Sequence, residues 1–191
     1  MRRKKCKACG EMFIPDRQMQ KTCPKYECAI KVGRKIHAAK VKKADRATRQ
    51  RLKTLSQLKA EAQAEFNRYI RLRDNGLPCI SCGRHHAGQN HAGHFLTTAA
   101  HPELRYEPRN VHLQCAPCNN HLSGNLIEYR KGLVARYGQP LVDWLEGPHP
   151  AKHYTREDLE AEKLKWRKLA RMMKDANEAV KAAREINFEL P

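Results

Sequence analysis

The eight cysteines of this 191-residue chain fall into two groups of four, and their spacing is typical of metal sites. One group contains two Cys-x2-Cys pairs; the other contains one such pair and one pair separated by four residues. The groups are Cys79, Cys82, Cys115 and Cys118, and Cys6, Cys9, Cys23 and Cys28. Four thiolates at such spacings suit one tetrahedral Zn²⁺. The pattern therefore predicts two structural zinc sites.

Buried thiols or disulfides are the alternative use of these cysteines. Residues 1–5 are mostly charged, and no apolar stretch of the kind found in a signal peptide follows them. We therefore expect a cytoplasmic protein, whose reduced thiols favour metal over disulfides. No stretch approaches the ~20 apolar residues that a membrane-spanning helix needs, so no membrane span is expected.

Positive charge is concentrated in the first quarter of the chain. The sequence has 38 Lys and Arg against 20 Asp and Glu, and residues 1–53 hold 18 of the basic and 4 of the acidic residues. Such a local positive field suits a polyphosphate partner, which favours nucleic acid. A solubilising basic tail and an anionic membrane surface are the alternatives, although the segment lacks an apolar face with anchoring aromatics. The predicted DNA-binding residues are Lys35, Lys40, Lys42, Lys43, Arg46 and Arg49.

The positions of proline, glycine and apolar residues divide the chain into four segments. These are a zinc-ribbon-like module at 1–33, one long helix at 34–75, a second metal module at 76–125 and a helical region at 126–191. The helix at 34–75 contains neither proline nor glycine; it is basic at first and amphipathic from Leu52 onwards. Apolar residues of the last helix, including Trp166, are expected to pack on the helix that ends near Ile70, within one chain or across a dimer.

The stretch between the two cysteine pairs of the second group must form structure of its own. Its 32 residues exceed the usual spacing of a zinc ribbon. Residues 89–96 and 111–115 have the pattern of two hairpin strands, with residues 97–109 as the connection. A helix is predicted to begin at Cys118, which would place His94 against its first turn.

The order of these residues resembles that of the HNH, or His-Me finger, endonucleases. The match is carried by His94, Asn110, the run at 110–115, Asn119 and the second cysteine group, and it covers about a quarter of the chain. It implies an α+β fold with a small zinc-stapled ββα core and long flanking α-helices. Over its full length the chain resembles the NinG (Rap) family of lambdoid phage recombination proteins. That resemblance implies a structure-specific endonuclease of branched DNA, such as Holliday junctions and D-loops, in the cytoplasm of the bacterial host.

Phosphodiester hydrolysis needs a deprotonated water and positive charge near the oxygens that become negative. His94 is the predicted general base, because an imidazole can take a proton from water near neutral pH. By the resemblance, Asn110 orients the loop around His94. The side-chain oxygen of Asn119 is expected to hold a catalytic Mg²⁺ or Mn²⁺.

One position departs from the endonuclease pattern. Many members carry an acidic or histidine metal ligand directly before the base, where this chain has Gly93. His91, on the same strand, or His121, just after Asn119, are the candidate replacements. A nitrogen ligand would shift the preference from magnesium towards manganese. The other histidines, among them His86 and His112, are expected to be exposed or simply packed.

Two further function classes fit parts of the sequence. A non-catalytic zinc protein that binds DNA or RNA would explain the charge, with Gly93 as the trace of lost catalysis. A protein-interaction adaptor would explain the cysteines but not the basic segment or the order of His94, Asn110 and Asn119. A homodimer through the helical segments and contacts with phage or host recombination proteins complete the candidate partners.

Overall fold

The computed structural model describes residues 2–188, with side chains up to residue 183. Met1 and residues 189–191, at the outer ends of the first and last predicted segments, lie outside the described residues. The chain combines long helices with two small sheets in two compact units, one up to Lys53 and one from Thr54 onwards. Across residues 2–188, no helix has both the length and the apolar character of a membrane span.

The first unit is a small hairpin followed by a helix. Strands β1 (Lys4–Lys5) and β2 (Met12–Phe13) pair antiparallel, and helix α1 spans Tyr26–Arg51. The buried apolar cluster of this unit consists of Phe13 and three of its four cysteines. Because Cys28 lies in the first turn of α1, the helix begins within the four-cysteine module. The predicted boundary after residue 33 is therefore wrong, and α1 continues through the exposed Gly33.

The interval predicted as one helix at 34–75 is two helices. Helix α1 ends at Arg51, and α2 (Leu55–Arg73) begins after Thr54. The Thr54 hydroxyl accepts from the Gln57 amide at 3.2 Å, and the Gln57 side chain accepts from the Thr54 amide at 2.9 Å. This capping box favours a new helix start at Thr54. The buried stripe of α2 consequently begins at Leu58, while Leu52 is 69% exposed.

The core of the second unit lies between α2 and α5 (Arg156–Phe188). The rings of Phe66 and Trp166 are 4.7 Å apart, and both residues are buried. Lys163 pairs with Glu61 and Arg167 with Glu65, each at 2.7 Å, so the two helices run in the same direction. The predicted packing of Trp166 on this helix is confirmed within one chain. It does not extend along all of α5, because Ala176 and Val180 are exposed.

A β-hairpin and two shorter helices complete the second unit. Strands β3 (Asn90–His94) and β4 (Val111–Cys115) pair antiparallel, with His94 opposite Val111 and Asn90 opposite Cys115. Helices α3 (Leu126–Tyr137) and α4 (Gln139–Glu146) enclose a second apolar cluster. The cluster consists of Ile80, Phe95, Leu104, Tyr129, Leu133, Val142 and Leu145. A methyl group on Gly132 of α3 would lie 1.9 Å from the carbonyl oxygen of Ile80, so this contact requires glycine.

The helix predicted from Cys118 begins later. A single π-helical turn spans Pro117–His121, and Ser123, Gly124 and Asn125 then adopt positive φ values of 48°, 86° and 45°. Left-handed residues cannot continue a right-handed helix, so α3 starts only at Leu126. Asn119 therefore lies on a separate short turn that directly follows β4.

Candidate active site and metal centres

Each cysteine group brings four sulfur atoms together. Within each group, the Sγ atoms all lie within 4.8 Å of one another. The Cys9 and Cys23 sulfurs are 3.8 Å apart, and those of Cys82 and Cys115 are 3.9 Å apart. Tetrahedral zinc with bonds of about 2.3 Å separates its sulfur ligands by about 3.8 Å. All eight cysteines are free thiols, so each group can hold one structural metal ion, and both sites are consistent with Zn²⁺.

Backbone amides and neighbouring side chains support these thiols. Burial raises the pKa of Cys79, but backbone hydrogen bonds from Cys82, Cys115 and Ser81 outweigh it and bring that pKa to about 7. A lower pKa favours the thiolate that binds metal. His86 Nε2 lies 3.4 Å from Cys82 Sγ, and Asn125 Nδ2 lies 3.6 Å from Cys118 Sγ. His86, expected to be exposed, is therefore half-buried against a cysteine sulfur.

His94 is the last residue of β3 and is half-buried. Its Nε2 lies 3.0 Å from the carbonyl oxygen of Arg105. Because a carbonyl oxygen only accepts, Nε2 carries the proton in the neutral ring and Nδ1 carries the lone pair. Burial lowers the pKa of His94; the bond to the Arg105 carbonyl raises it in part, and the Arg105 charge lowers it. The neutral imidazole thus presents Nδ1 as a proton acceptor.

Asn110 anchors the connection between the two strands. Its Oδ1 accepts from the Leu96 amide at 2.8 Å, and its Nδ2 donates to the carbonyl oxygens of Leu96 at 2.9 Å and Leu104 at 3.3 Å. Asn110 itself is fully buried. The side chain therefore closes residues 96–110 into a loop and fixes the segment that presents the Arg105 carbonyl to His94. This geometry suits the positioning role expected for Asn110.

Asn119 approaches β3 at the residue next to His94. A methyl group placed on Gly93 would lie 2.9 Å from Asn119 Oδ1. The side-chain Nδ2 of Asn119 donates to Asn120 Oδ1 at 2.8 Å. The side-chain Oδ1 of Asn119 is therefore the atom that faces Gly93. The His94 imidazole and Asn119 Oδ1 therefore adjoin two consecutive residues of β3, whose side-chain positions alternate between the two faces of the strand.

The two candidate replacement ligands lie in different environments. His91 is half-buried, two residues before Gly93, so its side chain lies on the same face of β3 as the Gly93 position. Its Nε2 is buried and has no hydrogen-bond partner among the described residues. His121 is exposed at the end of the π turn. The structure therefore favours His91 as a nitrogen donor.

Several residues that support the hairpin were missed in the sequence. The Arg73 guanidinium donates to the carbonyl oxygens of Pro108 and Val111, both at 2.8 Å, and pairs with Asp74. The carboxylate of Asp74 accepts from the Leu113 amide at 2.9 Å. The end of α2 thus holds β4 and the loop that precedes it. The only sign of this role in the sequence is that Arg73 and Asp74, an oppositely charged pair, stand directly before Asn75-Gly76, where the helix ends.

The predicted DNA-binding residues all lie on α1. Each is exposed along the stretch from Lys35 to Arg49. This helix belongs to the first unit, whereas His94, Asn110 and Asn119 belong to the second. The structure therefore presents all six basic residues to solvent along a single helix.

Comparisons with known proteins agree over most of the chain. The family described as Bacteriophage Lambda NinG protein matches residues 1–178. Protein ninG of Escherichia phage 933W is 39% identical over 183 residues, covering 86% of this chain and 90% of the relative. Protein ninG of Salmonella phage P22 is 36% identical over 194 residues, covering 91% and 95%, and that of Escherichia phage lambda is 38% identical over 184 residues, covering 86% and 90%. No solved structure matches the chain. The chain therefore belongs to the NinG family, as its full-length resemblance predicted.

Proposed function

We propose that this protein is a metal-dependent, HNH-type endonuclease that hydrolyses phosphodiester bonds of branched DNA during phage recombination. The observation that carries the proposal is the position of Asn119 beside Gly93, the residue directly before His94. His94 offers a free imidazole lone pair, and Asn119 offers an oxygen ligand. The endonuclease pattern likewise has a metal ligand directly before the base, and Asn119 Oδ1 lies beside that position.

His94 acts as the general base. Its Nδ1 takes a proton from water, and the resulting hydroxide attacks phosphorus in line with the leaving 3′ oxygen. The bond from phosphorus to that oxygen breaks, which leaves a 5′-phosphate and, after protonation by solvent, a 3′-hydroxyl. The Arg105 carbonyl stabilises the imidazolium that forms, because Nε2–H already donates to it at 3.0 Å.

The residues near Gly93 fit a divalent cation. Asn119 supplies an amide oxygen, and the unpartnered Nε2 of His91 supplies a nitrogen on the same strand face. A bound Mg²⁺ or Mn²⁺ would stabilise the negative charge on the phosphate and on the leaving oxygen. The histidine favours manganese over magnesium.

Binding of DNA is assigned to the exposed basic residues of α1. Their charges are accessible to phosphates and belong to the segment that carries most of the net positive charge. Preference for Holliday junctions or D-loops rests on membership of the NinG family and on the resemblance to recombination proteins. Equal cleavage of linear and branched DNA at the same salt concentration would contradict that preference.

A cleavage assay tests the proposal. A synthetic four-way junction and a linear duplex of matched sequence are incubated with Mg²⁺ or Mn²⁺ and either the native chain or His94→Ala. His85→Ala, which removes an exposed histidine of the same unit, is the matched control. The expected result is metal-dependent junction cleavage that His94→Ala abolishes while DNA binding remains.

A second candidate, a non-catalytic zinc protein that binds DNA or RNA, is favoured by the missing ligand at Gly93. It predicts salt-sensitive binding of both DNAs and no cleavage with either metal. That outcome would replace the endonuclease proposal.

A further inference from the structure

The space beside Gly93 is filled by a second amide oxygen. A methyl group on Gly93 would lie 1.8 Å from Gln114 Oε1, which is closer than the 2.9 Å to Asn119 Oδ1. Gln114 belongs to β4, opposite His91. Two side-chain oxygens therefore face the position that a side chain at residue 93 would occupy.

The orientation of the Gln114 amide follows from its hydrogen bonds. Its Nε2 donates to the Ser81 hydroxyl at 2.6 Å and to the Gly124 carbonyl oxygen at 2.7 Å. A carbonyl oxygen cannot donate, so the nitrogen must face Gly124 and the oxygen must face Gly93. Ser81 lies between Cys79 and Cys82, so the second cysteine group helps to hold the amide in place.

Gln114 Oε1 has no hydrogen-bond partner among the described residues, although the side chain is fully buried. A buried amide oxygen without a partner costs free energy, so such an atom calls for an explanation. His91 Nε2, on the residue opposite Gln114, is also buried without a partner in the described part of the chain. Gln114 Oε1 and His91 Nε2 thus belong to paired residues of β4 and β3, and unpartnered oxygen and nitrogen atoms are the ligands that a divalent cation accepts.

We infer that Gln114 is a ligand of the divalent cation and that its Oε1, together with Asn119 Oδ1, replaces the ligand absent at Gly93. The inference rests on the proposed function and goes beyond it by naming the ligand. Both oxygens are neutral, so these two residues bring no carboxylate to the cation. Affinity for the free cation is therefore modest, and the DNA phosphate completes the site.

Manganese binding by the zinc-loaded full chain, measured by electron paramagnetic resonance without DNA, tests this inference. Gln114→Ala is expected to weaken binding at least about tenfold, since even outer-shell partners of metal ligands contribute about 10- to 100-fold. Gln18→Ala, which removes an exposed glutamine of the first unit, should bind as the native chain does. Zinc content and circular dichroism show whether each variant is folded; if Gln114→Ala loses zinc, Gln114→Met, which keeps the volume, replaces it.

A double variant provides the reciprocal test. The φ angle of Gly93 is not positive, so its backbone accepts a side chain once Gln114 is shortened. Gly93→Asp/Gln114→Ala should restore manganese binding to at least the native level, because a carboxylate replaces an amide. Native affinity in Gln114→Ala or Gln114→Met, absence of manganese binding by the native chain, or a folded double variant without restored binding would overturn the inference.

The same variants separate this inference from the proposed function. If Gln114→Ala binds manganese normally and the native chain still cleaves junctions, only the assignment of Gln114 is wrong. If manganese binding depends on Gln114 but the native chain cleaves no DNA, the cation site stands and the endonuclease proposal fails.

Discussion

The Tyr129 hydroxyl donates a hydrogen bond to the carbonyl oxygen of Gly93 at 2.9 Å. His112 Nδ1 lies 3.2 Å from the same hydroxyl, and because the tyrosine proton is already used, the imidazole must donate. Burial lowers the pKa of His112 to about 3, so the ring stays neutral near pH 7. A relay from β4 through α3 thus fixes the peptide that joins Gly93 to His94.

Removing this hydroxyl should destabilise the second unit. Tyr129→Phe leaves the Gly93 carbonyl and the His112 donor buried without partners, which costs about 1–3 kcal/mol. The loss is measured as the free energy of unfolding in urea. Tyr137→Phe, on the exposed end of the same helix, should change it by less than about 0.5 kcal/mol. Equal losses in the two variants would show that the relay does not stabilise the fold.

Asn110→Asp should loosen the loop at 96–110. The substitution keeps the shape of the side chain but replaces its amide donor with an oxygen that faces the carbonyl oxygens of Leu96 and Leu104. We expect faster amide hydrogen exchange in this loop and lower cleavage, because the Arg105 carbonyl no longer holds His94. Asn75→Asp, at an exposed position, is the control. Unchanged exchange in the loop would contradict the anchoring role.

Cleavage should depend on pH through His94. The base works only as the neutral imidazole, and burial lowers its pKa below the ordinary value of 6.5. Cleavage activity is therefore highest above pH 6.5, and it is lost as the pH falls through the lowered pKa of His94. Single-turnover cleavage of a bound junction at fixed metal concentration, measured at a series of pH values, gives the midpoint of this loss. A midpoint above pH 6.5 would point to a different base.

Each cysteine group should hold its metal independently. Cys6→Ala and Cys118→Ala are each expected to reduce the zinc content from two ions per chain to one. Only Cys118→Ala should unfold the hairpin, because Cys118 follows β4 directly, whereas Cys6 belongs to the other unit. Metal analysis and calorimetry measure the two effects. Loss of both ions in either variant would show that the units are coupled.

The basic surface of α1 should account for part of the salt dependence of DNA binding. Replacing Lys40, Lys42 and Lys43 together with alanine should reduce the slope of log K against log salt by about 0.9 for each phosphate that the helix no longer neutralises. Lys131→Ala is the control, because this lysine is exposed on α3 and pairs with Glu128. An unchanged slope in the triple variant would place the DNA elsewhere.

The sequence predicts best those features that depend on local spacing. The cysteine pairs, the strands around His94 and the packing of Trp166 follow from the spacing of cysteines and apolar residues along the chain. The structure contains all three features. The break at Thr54 was also encoded locally, as a capping box with Gln57, but the absence of proline and glycine masked it.

Other features depend on contacts that no local pattern reveals. Gln114 occupies a buried strand position, and only the tertiary positions of Ser81 and Gly124 decide which amide atom faces Gly93. The left-handed residues Ser123, Gly124 and Asn125, which separate the π turn from α3, are likewise not evident from the local sequence pattern. For the same reason, the sequence could show that a ligand was missing but could not show what replaces it.

The contact between α2 and α5 also determines the order in which the chain can fold during its synthesis. Lys163 and its partner Glu61 are 102 residues apart, and Trp166 completes the core around Phe66 only after α5 has been made. The cysteines of the first unit, by contrast, are all present once residue 28 has left the ribosome. Because domains generally fold as units in the order of synthesis, zinc can organise the first unit before the second, while the hairpin that carries His94 acquires its full support only once α5 has been made.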